Sequence, residues 1–303
     1  MKHAVAVALA ALALVALALG AWIGVNIRGD DNPWLARAQA VADESGWQEG
    51  RIDADAFQLT AFRRFDGEEG GLLVVYIEGD GHAWESLTEL SSDPTPRDPR
   101  VLQMAVQDPA ASVAYLARPC QYLPDNEQPY CGSMMWSLSR YASYIVAALD
   151  TAVDSLKREA GASRIRLVGV SGGGTLAALI AARRDDVVGL VTVAANLDHD
   201  LWSRRHNLSP LIDSLNAADV AVLVEDIPQV HFVGAEDTNV TRAEVDAYVA
   251  RMADPALVDV VVVPGYNHTC CWVENWPGLL GDHPVGQQSK GVNPLQPIRA
   301  PCG

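Results

Sequence analysis

The chain has 303 residues, of which 49% are hydrophobic and 20% are charged, with 24 Gly and 17 Pro. This composition excludes a disordered, collagen-like or repeat protein, and the length suits one α/β domain, since such domains often reach about 250 residues. The 38 acidic side chains outnumber the 22 basic ones, which gives a formal net charge of -16. Because that charge repels phosphate backbones, we expect no nucleic-acid partner.

The first segment of the chain is an apolar stretch that predicts export or anchoring. Residues 4–25 follow Lys2 without one charged or strongly polar side chain. A spanning helix needs about 20 apolar residues and the apolar part of a signal peptide about 7 to 15, so the length favours a retained anchor. Ala18-Leu19-Gly20 still offers small residues at a possible cleavage site of a signal peptide. We interpret residues 1–25 as an N-terminal hydrophobic helix that is a signal anchor or a signal peptide.

The flanking charges and the cysteines indicate where the rest of the chain lies. Charges on both sides of the apolar stretch slightly favour a cytoplasmic N-terminus and an exported body, membrane-anchored in the cell envelope or secreted after cleavage. Five cysteines fit an oxidising compartment, and Cys120 and Cys131 enclose a polar loop that a disulfide would staple. The pairing of Cys270, Cys271 and Cys302 stays open between disulfides and buried thiols.

Strand patterns dominate the body of the chain. Residues 26–55 are polar and aperiodic, and we interpret them as a tether that leads into the body. Beyond them a weakly alternating run comes first, and then a series of continuous apolar runs that are typical of buried strands. The predicted strands cover 57–65, 72–77, 111–116, 165–168, 187–194, 230–233 and 257–263.

Helical patterns separate these strands. Six apolar residues from Leu138 to Leu156 share one helix face, and Gly161 stands where that helix should stop. Thr241 and Glu244 form a capping box, and Asp98-Pro99 is typical of another helix start. The alternation predicts an α/β fold, with a mostly parallel central sheet covered by helices on both faces over residues 56–280. A Pro- and Gly-rich tail follows over 281–303.

A serine between glycines carries the strongest chemical signal. Gly169-Val-Ser171-Gly172-Gly173 lies between a predicted strand and a helix of small residues. This is the G-x-S-x-G pattern of a nucleophile elbow, where a sharp turn exposes the serine and only small neighbours fit. The N–H of Gly172 would then stabilise an oxyanion from the helix N-terminus. A nucleotide-binding loop is excluded, because Ser171 replaces a required glycine and no Gly-Lys follows.

A serine nucleophile needs a base and an orienting acid. Asp237 follows the predicted strand at 230–233, and His268 follows the strand at 257–263. The chain order Ser171, Asp237, His268 is the order found in hydrolases with this elbow. We therefore predict Ser171 as nucleophile, His268 as general base and Asp237 as the orienting carboxylate.

Several polar side chains near these positions keep alternatives open. Glu236, Asp198 and Asp200 also follow predicted strands and could replace Asp237 as the acid. His82 could contact a substrate or could be a hydrogen-bonded structural histidine. A metal site formed by the segment 198–200 with His206 lacks a ligand-like spacing, so we predict no metal and no cofactor.

The sequence resembles the α/β-hydrolase family over about residues 57–280. The resemblance rests on the segment 75–84, the elbow, the Val-Gly-Ala-Glu-Asp loop ending at Asp237, and Pro-Gly-Tyr-Asn-His-Thr-Cys-Cys-Trp around His268. These motifs look like a bacterial, exported or membrane-tethered branch. Many esterases of the family carry His-Gly-Gly-Gly at the second oxyanion donor, whereas this chain has Glu-Gly-Asp80-Gly81. The resemblance implies that the second donor is the N–H of Asp80 or Gly81, and we favour Asp80.

The resemblance implies a serine hydrolase. Its substrate would be a small acyl compound, a carboxylic ester or a related thioester or amide, cleaved through an acyl-enzyme. The segments 83–109 and 119–131 and the loop after Asn196 are expected to cover the site. The alternative is a catalytically silent envelope protein that binds a ligand with the same fold, and it predicts a histidine directed away from Ser171.

Overall fold

The computed structural model describes residues 32–86, 88–123, 130–283 and 285. The predicted hydrophobic helix over 1–25 and nearly all of the tail over 281–303 lie outside the described residues. Within the described part of the chain, no helix combines the length and the apolar character that crossing a bilayer requires.

One eight-stranded sheet organises the molecule, in the order β1-β2-β4-β3-β5-β6-β7-β8. Strands β3 to β8 pair in parallel, and β1 and β2 form an antiparallel edge. All seven predicted strands are present, and β1 was missed. The strands are β1 (Gln48–Ala54), β2 (Phe57–Phe65), β3 (Leu72–Ile77), β4 (Ser112–Leu116), β5 (Arg164–Val170), β6 (Val187–Val193), β7 (Gln229–Gly234) and β8 (Val258–Val263).

Helices cover both faces of the sheet, as predicted. Helices α3, α4 and α6 pack with one hydrophobic core, and α1, α2 and α7 pack with a second core across the sheet. Their bounds are α1 (Pro33–Glu44), α2 (Arg100–Ala105), α3 (Ser143–Glu159), α4 (Gly172–Ala181), α5 (His199–Arg205), α6 (Arg242–Val249) and α7 (Trp272–Gly281), with short 3₁₀ helices at Ser133–Trp136 and Ala217–Leu223.

Strand β3 shows why the inner strands are apolar throughout. Leu73, Val75 and Ile77 belong to the first core, and the alternate residues Val74 and Tyr76 belong to the second. Successive side chains of a strand point to opposite faces, so a strand covered on both sides needs apolar residues at every position. Strand β8 departs from this pattern, because it forms the sheet edge and is partly exposed.

The segment interpreted as a tether folds into a helix and a strand over most of its length. The side chain of Asn32 caps α1 by accepting hydrogen bonds from the N–H groups of Trp34, at 3.0 Å, and Leu35, at 3.2 Å. The helix buries a narrow stripe made mostly of alanine, and β1 is a largely polar edge strand paired with β2. Neither element has the broad apolar pattern that sequence periodicity detects.

Two helix starts differ from the predictions. Helix α3 begins at Ser143, so Leu138 and Tyr141 lie in the turn before it, whereas Gly161 ends the helix with φ +60° as predicted. Helix α2 begins after Pro99 without a side-chain cap. The carboxylate of Asp98 instead accepts a hydrogen bond from Nε of Arg100 at 2.8 Å. The capping box that opens α6 is confirmed.

Candidate active site

Ser171 occupies a strained turn between β5 and α4. Its φ of +52° is rare for a residue with a side chain, and its N–H donates to the carbonyl of Val193 at 2.8 Å. A Cβ atom at Gly169 would meet the backbone of Gly173, and one at Gly173 would meet the carbonyl oxygen of Ile77. Glycine is therefore required at both positions, and the turn lifts the Ser171 hydroxyl to the carboxyl end of the sheet.

His268 joins the serine to a buried carboxylate. Oγ of Ser171 lies 3.0 Å from Nε2 of His268, and Nδ1 of His268 lies 2.8 Å from Oδ2 of Asp237. Because a carboxylate accepts hydrogen bonds, Nδ1 carries the proton and Nε2 accepts from the serine hydroxyl. The other oxygen of Asp237 accepts from the N–H groups of Asn239 and Val240 at 2.9 and 3.0 Å. These bonds hold the carboxylate in a fixed orientation.

The loop that carries His268 is shaped by its neighbour Asn267. The Asn267 side chain accepts from the N–H groups of Thr269 at 2.9 Å and Cys270 at 2.8 Å. The backbone carbonyl oxygen of Asn267 accepts a hydrogen bond from the indole N–H of Trp272 at 3.0 Å. These bonds hold the backbone of the loop on both sides of His268.

The alternative acids have other partners. Glu236 is exposed, whereas the adjacent Asp237 is buried. Asp198 caps α5 by accepting from the N–H of Leu201 at 3.1 Å, and it also accepts from the amide of Asn216 at 3.0 Å. Asp200 is exposed beside His199. Of the four carboxylates considered, the structure brings only Asp237 to His268.

The predicted oxyanion loop lies against the elbow. A Cβ atom at Gly79 would be 3.5 Å from Cβ of Ser171, and one at Gly172 would meet the carboxylate of Asp80. Gly79, Asp80 and Gly81 line the same cavity as Ser171. The two predicted donors, the N–H groups of Gly172 and Asp80, therefore belong to backbone segments that pack against each other at the serine.

Two buried arginines hold the side chain of Asp80, a feature that was not predicted from the sequence. Arg140 donates to Asp80 at 2.7 Å, Arg118 also donates to this carboxylate, and Arg118 donates to the carbonyl of Arg140 at 2.6 Å. Burial raises the pKa of the Asp80 carboxyl, but Arg140 and Arg118 outweigh that effect and lower the pKa to about 2. Arg118 lies two residues after the end of β4. This position close to a strand end is the sequence feature that could have identified it as a residue of the site.

Glu78 is a second buried carboxyl beside the site. One of its oxygens accepts from the N–H of Gly79 at 2.8 Å, and the other accepts from the hydroxyl of Tyr115 at 2.7 Å. Burial raises the pKa of Glu78 to about 7, although these two hydrogen bonds lower it. Glu78 therefore titrates in the neutral pH range.

A cavity of about 1070 Å³ opens beside Ser171 and His268. Two of the three expected covering segments contribute to its wall, namely 83–109 and the loop after Asn196. In the third, 119–131, none of the described residues lines the cavity. The segment Met134 to Arg140 takes its place. This part of the cavity wall is therefore formed by residues that follow the expected segment 119–131 in the sequence.

Three histidines of the described chain besides His268, namely His82, His199 and His206, have protein partners. Nε2 of His82 lies 3.0 Å from the carboxylate of Glu85, and His82 also lines the cavity. Nε2 of His206 donates to the carbonyl of Asn239 at 2.8 Å. Nε2 of His199 lies 3.2 Å from the carbonyl of Leu215. Among the described residues, no three His, Cys, Asp or Glu side chains are grouped as metal ligands would be.

The cysteines lie in two pairs within the described chain. The sulfur atoms of Cys120 and Cys131 are 2.07 Å apart, with the Cα atoms 5.7 Å apart. Cys270 and Cys271 are adjacent in the loop after His268, with their sulfur atoms facing each other. Cys302 lies outside the described residues.

No family model and no curated protein matches the sequence. The structure resembles the esterase Pf2001 of Pyrococcus furiosus, with a TM-score of 0.56 and 13% identity over 79% of this chain and 92% of that one. It also resembles Est1E of Butyrivibrio proteoclasticus with bound ferulic acid, with a TM-score of 0.58 and 16% identity over 80% and 100% of the chains.

A third similar structure is an α/β serine hydrolase homologue from Coxiella burnetii, with a TM-score of 0.53 and 16% identity over 77% and 94% of the chains. These three matches cover 77–80% of this chain and 92–100% of the similar chains. The strand-to-helix turn at Ser171 is typical of this fold. The chain therefore has the fold of the α/β hydrolases.

Proposed function

We propose that this protein is a serine hydrolase that cleaves a carboxylic ester, or a related thioester or amide, through an acyl-enzyme. The observation that supports it most strongly is the chain of hydrogen bonds from Ser171 through His268 to Asp237, at 3.0 and 2.8 Å, beside a large cavity. Such a chain activates a hydroxyl that is otherwise a weak nucleophile. A silent binding protein has no need of this arrangement.

The proposed reaction has two halves. Oγ of Ser171 attacks the acyl carbonyl while Nε2 of His268 takes the hydroxyl proton, and Asp237 stabilises the resulting imidazolium. The N–H groups of Gly172 and Asp80 donate to the oxyanion of the tetrahedral intermediate. The intermediate collapses, and the alcohol, thiol or amine leaves with the proton from His268. Water then attacks the acyl-enzyme with the same base and releases the acid.

Labelling with a fluorophosphonate probe tests the proposal, since the probe reacts with an activated serine. We expect the detergent-solubilised wild type to label, and Ser171→Ala and His268→Ala to lose labelling. Ser209→Ala is the matched control, because Ser209 also lines the cavity and should leave labelling unchanged. Hydrolysis of p-nitrophenyl esters should follow the same pattern. A folded wild type that neither labels nor hydrolyses any ester, thioester or amide would favour the silent binding protein.

We also propose that residues 1–25 export and anchor the protein and that Cys120 and Cys131 form a disulfide in that compartment. The apolar stretch 4–25 and the facing sulfur atoms of the two cysteines support this. Protease added to intact spheroplasts should digest the body of the protein, while a cytosolic marker protein stays protected. A body found entirely in the cytosolic fraction would contradict this proposal.

A further inference from the structure

The cavity beside Ser171 has a buried apolar wall and an exposed apolar rim. Its volume of about 1070 Å³ is at the upper end of the range of about 300–1,000 Å³ that small-molecule pockets occupy. Val101 and Met104 of α2 form part of the buried wall. At the rim, Trp84, Met134 and Leu208 are 40%, 46% and 50% exposed. An apolar chain that extends from the wall to the rim would remove apolar surface from water along its whole length.

The charges in the wall already have partners. Each arginine that lines the cavity is paired with a carboxylate, at 3.4 Å between Arg97 and Glu85, 2.8 Å between Arg100 and Asp98, and 2.7 Å between Arg140 and Asp80. A carboxylate or phosphate on the acyl part of a substrate would compete with these pairs. The cavity is therefore suited to a neutral acyl chain.

The described chain begins beside the same cavity. The guanidinium carbons of Arg37 and Arg97 lie 4.8 and 4.6 Å from the ring centre of Trp34, and Nη1 of Arg37 donates to the carbonyl of Arg97 at 2.9 Å. Arg97 lines the cavity. The amide of Asn32 donates to the carbonyl of Leu123 at 3.3 Å. The contacts with Arg97 place Trp34 and Arg37 beside the cavity wall, and the bond to Leu123 holds the preceding Asn32 on the domain.

Only residues 26–31 separate Asn32 from the apolar segment 4–25. A chain of this length spans at most about 25 Å when fully extended. A retained anchor would therefore hold the cavity close to the bilayer surface. The net charge of -16 makes approach to a neutral or zwitterionic surface less costly than approach to an anionic one.

We propose that the cavity takes the long acyl chain of a neutral or zwitterionic lipid ester drawn from the bilayer in which the protein is anchored. This inference rests on the proposed serine hydrolase function and the proposed anchor, and it names the substrate class. The acyl carbon is transferred from the lipid oxygen to Oγ of Ser171, and the lipid alcohol leaves with the proton carried by His268. Water then releases the fatty acid.

The first test compares acyl chain lengths with full-length protein in detergent. We expect kcat/KM for p-nitrophenyl esters to rise at least about tenfold from four to twelve carbons, because each buried methylene adds to binding. Replacing Trp84, Met134 and Leu208 by Ser should lower the twelve-to-four carbon ratio at least about fivefold. The matched control replaces Val222, Leu223 and Leu257 by Ser, which are similarly exposed and do not line the cavity, and it should keep the wild-type ratio.

The outcomes separate this inference from the proposed function. A wild type that prefers two- to four-carbon esters, or a rim variant with the same ratio as the control, would overturn the lipid-ester inference and leave the serine hydrolase standing. Failure to cleave esters of any length, together with absent fluorophosphonate labelling, would remove both.

The second test addresses the short connection to the anchor. Full-length protein in phosphatidylcholine vesicles should release fatty acid from a long-chain ester in its own bilayer. A flexible insertion of about 20 residues between positions 29 and 30 should lower that rate several-fold, because effective concentration falls as a linker lengthens. The same insertion should not change the hydrolysis of a water-soluble four-carbon ester. Equal fatty-acid release by both proteins would contradict the proposed approach from the bilayer.

Discussion

Two adjacent carboxylates show how one residue position decides the chemistry. Asp237 is buried and contacts Nδ1 of His268 at 2.8 Å, whereas the neighbouring Glu236 is exposed. The sequence places both on the loop after β7, and it cannot tell which side chain turns inward. Asp237 is the side chain that turns inward, because the N–H groups of Asn239 and Val240 in the same turn donate hydrogen bonds to its carboxylate.

Replacing each acid by its amide tests this assignment. We expect Asp237→Asn to lower kcat by about 10³- to 10⁴-fold with the fold intact, because an amide no longer holds His268 in the tautomer that accepts from Ser171. The matched change Glu236→Gln should leave kcat within about twofold. Steady-state ester hydrolysis and circular dichroism measure both effects. Equal losses in the two variants would show that Asp237 is not the orienting acid.

At the scale of elements, the elbow depends on the close approach of β5, α4 and the end of β3. Gly173, in the first turn of α4, lies against the carbonyl oxygens of Ile77 and Glu78. Gly278 in α7 has open space around its Cα, so a Cβ atom there would meet nothing within 4 Å. The two helical glycines thus differ in packing and not in secondary structure.

Alanine substitutions separate these two cases. We expect Gly173→Ala to lower the free energy of unfolding by about 1–3 kcal/mol. The added Cβ atom would meet the carbonyl oxygens of Ile77 and Glu78, and these backbone atoms cannot move aside as the end of a flexible side chain could. Gly278→Ala should be neutral or stabilising by up to about 1 kcal/mol, since alanine favours the helix. Urea unfolding midpoints compare the variants. An unaltered midpoint for Gly173→Ala would contradict the close packing at the elbow.

Across the whole molecule, the pH dependence of unfolding reports the groups whose pKa changes on folding. Burial raises the pKa of Glu78 from 4.5 to about 7. Between these values the folded chain keeps a proton that the unfolded chain has lost. The contribution of Glu78 to stability is therefore greatest below pH 4.5 and declines as the pH rises to about 7, by on the order of 3 kcal/mol.

Glu78→Gln should remove this contribution. We expect the variant to lose less stability than the wild type between pH 4.5 and pH 7, whatever its stability at either end, because glutamine does not titrate. Glu68→Gln is the control, since Glu68 is exposed and its replacement should retain the wild-type slope. Urea unfolding at several pH values gives the slopes. Parallel slopes for Glu78→Gln and wild type would show that Glu78 does not titrate in this range.

The sequence alone was enough to predict the α/β class, the seven strands β2 to β8, and Ser171 and His268 as nucleophile and base, whereas it left Asp237 as one of several candidate acids. These are local properties, because burial on both faces of a strand demands continuous apolar runs and a tight strand-to-helix turn demands glycine. The edge elements α1 and β1 could not be predicted in this way, since a narrow alanine stripe and a half-exposed strand leave a weak pattern.

Which side chains meet at the site depends on the tertiary structure. Arg118 and Arg140 converge on Asp80 from separate segments, and the start of α1 packs beside the cavity wall at Arg97. Such contacts join residues far apart in the chain, and they depend on how the loops close over the carboxyl ends of the strands. Loop closure depends on the packing of the whole domain, so no local pattern encodes it.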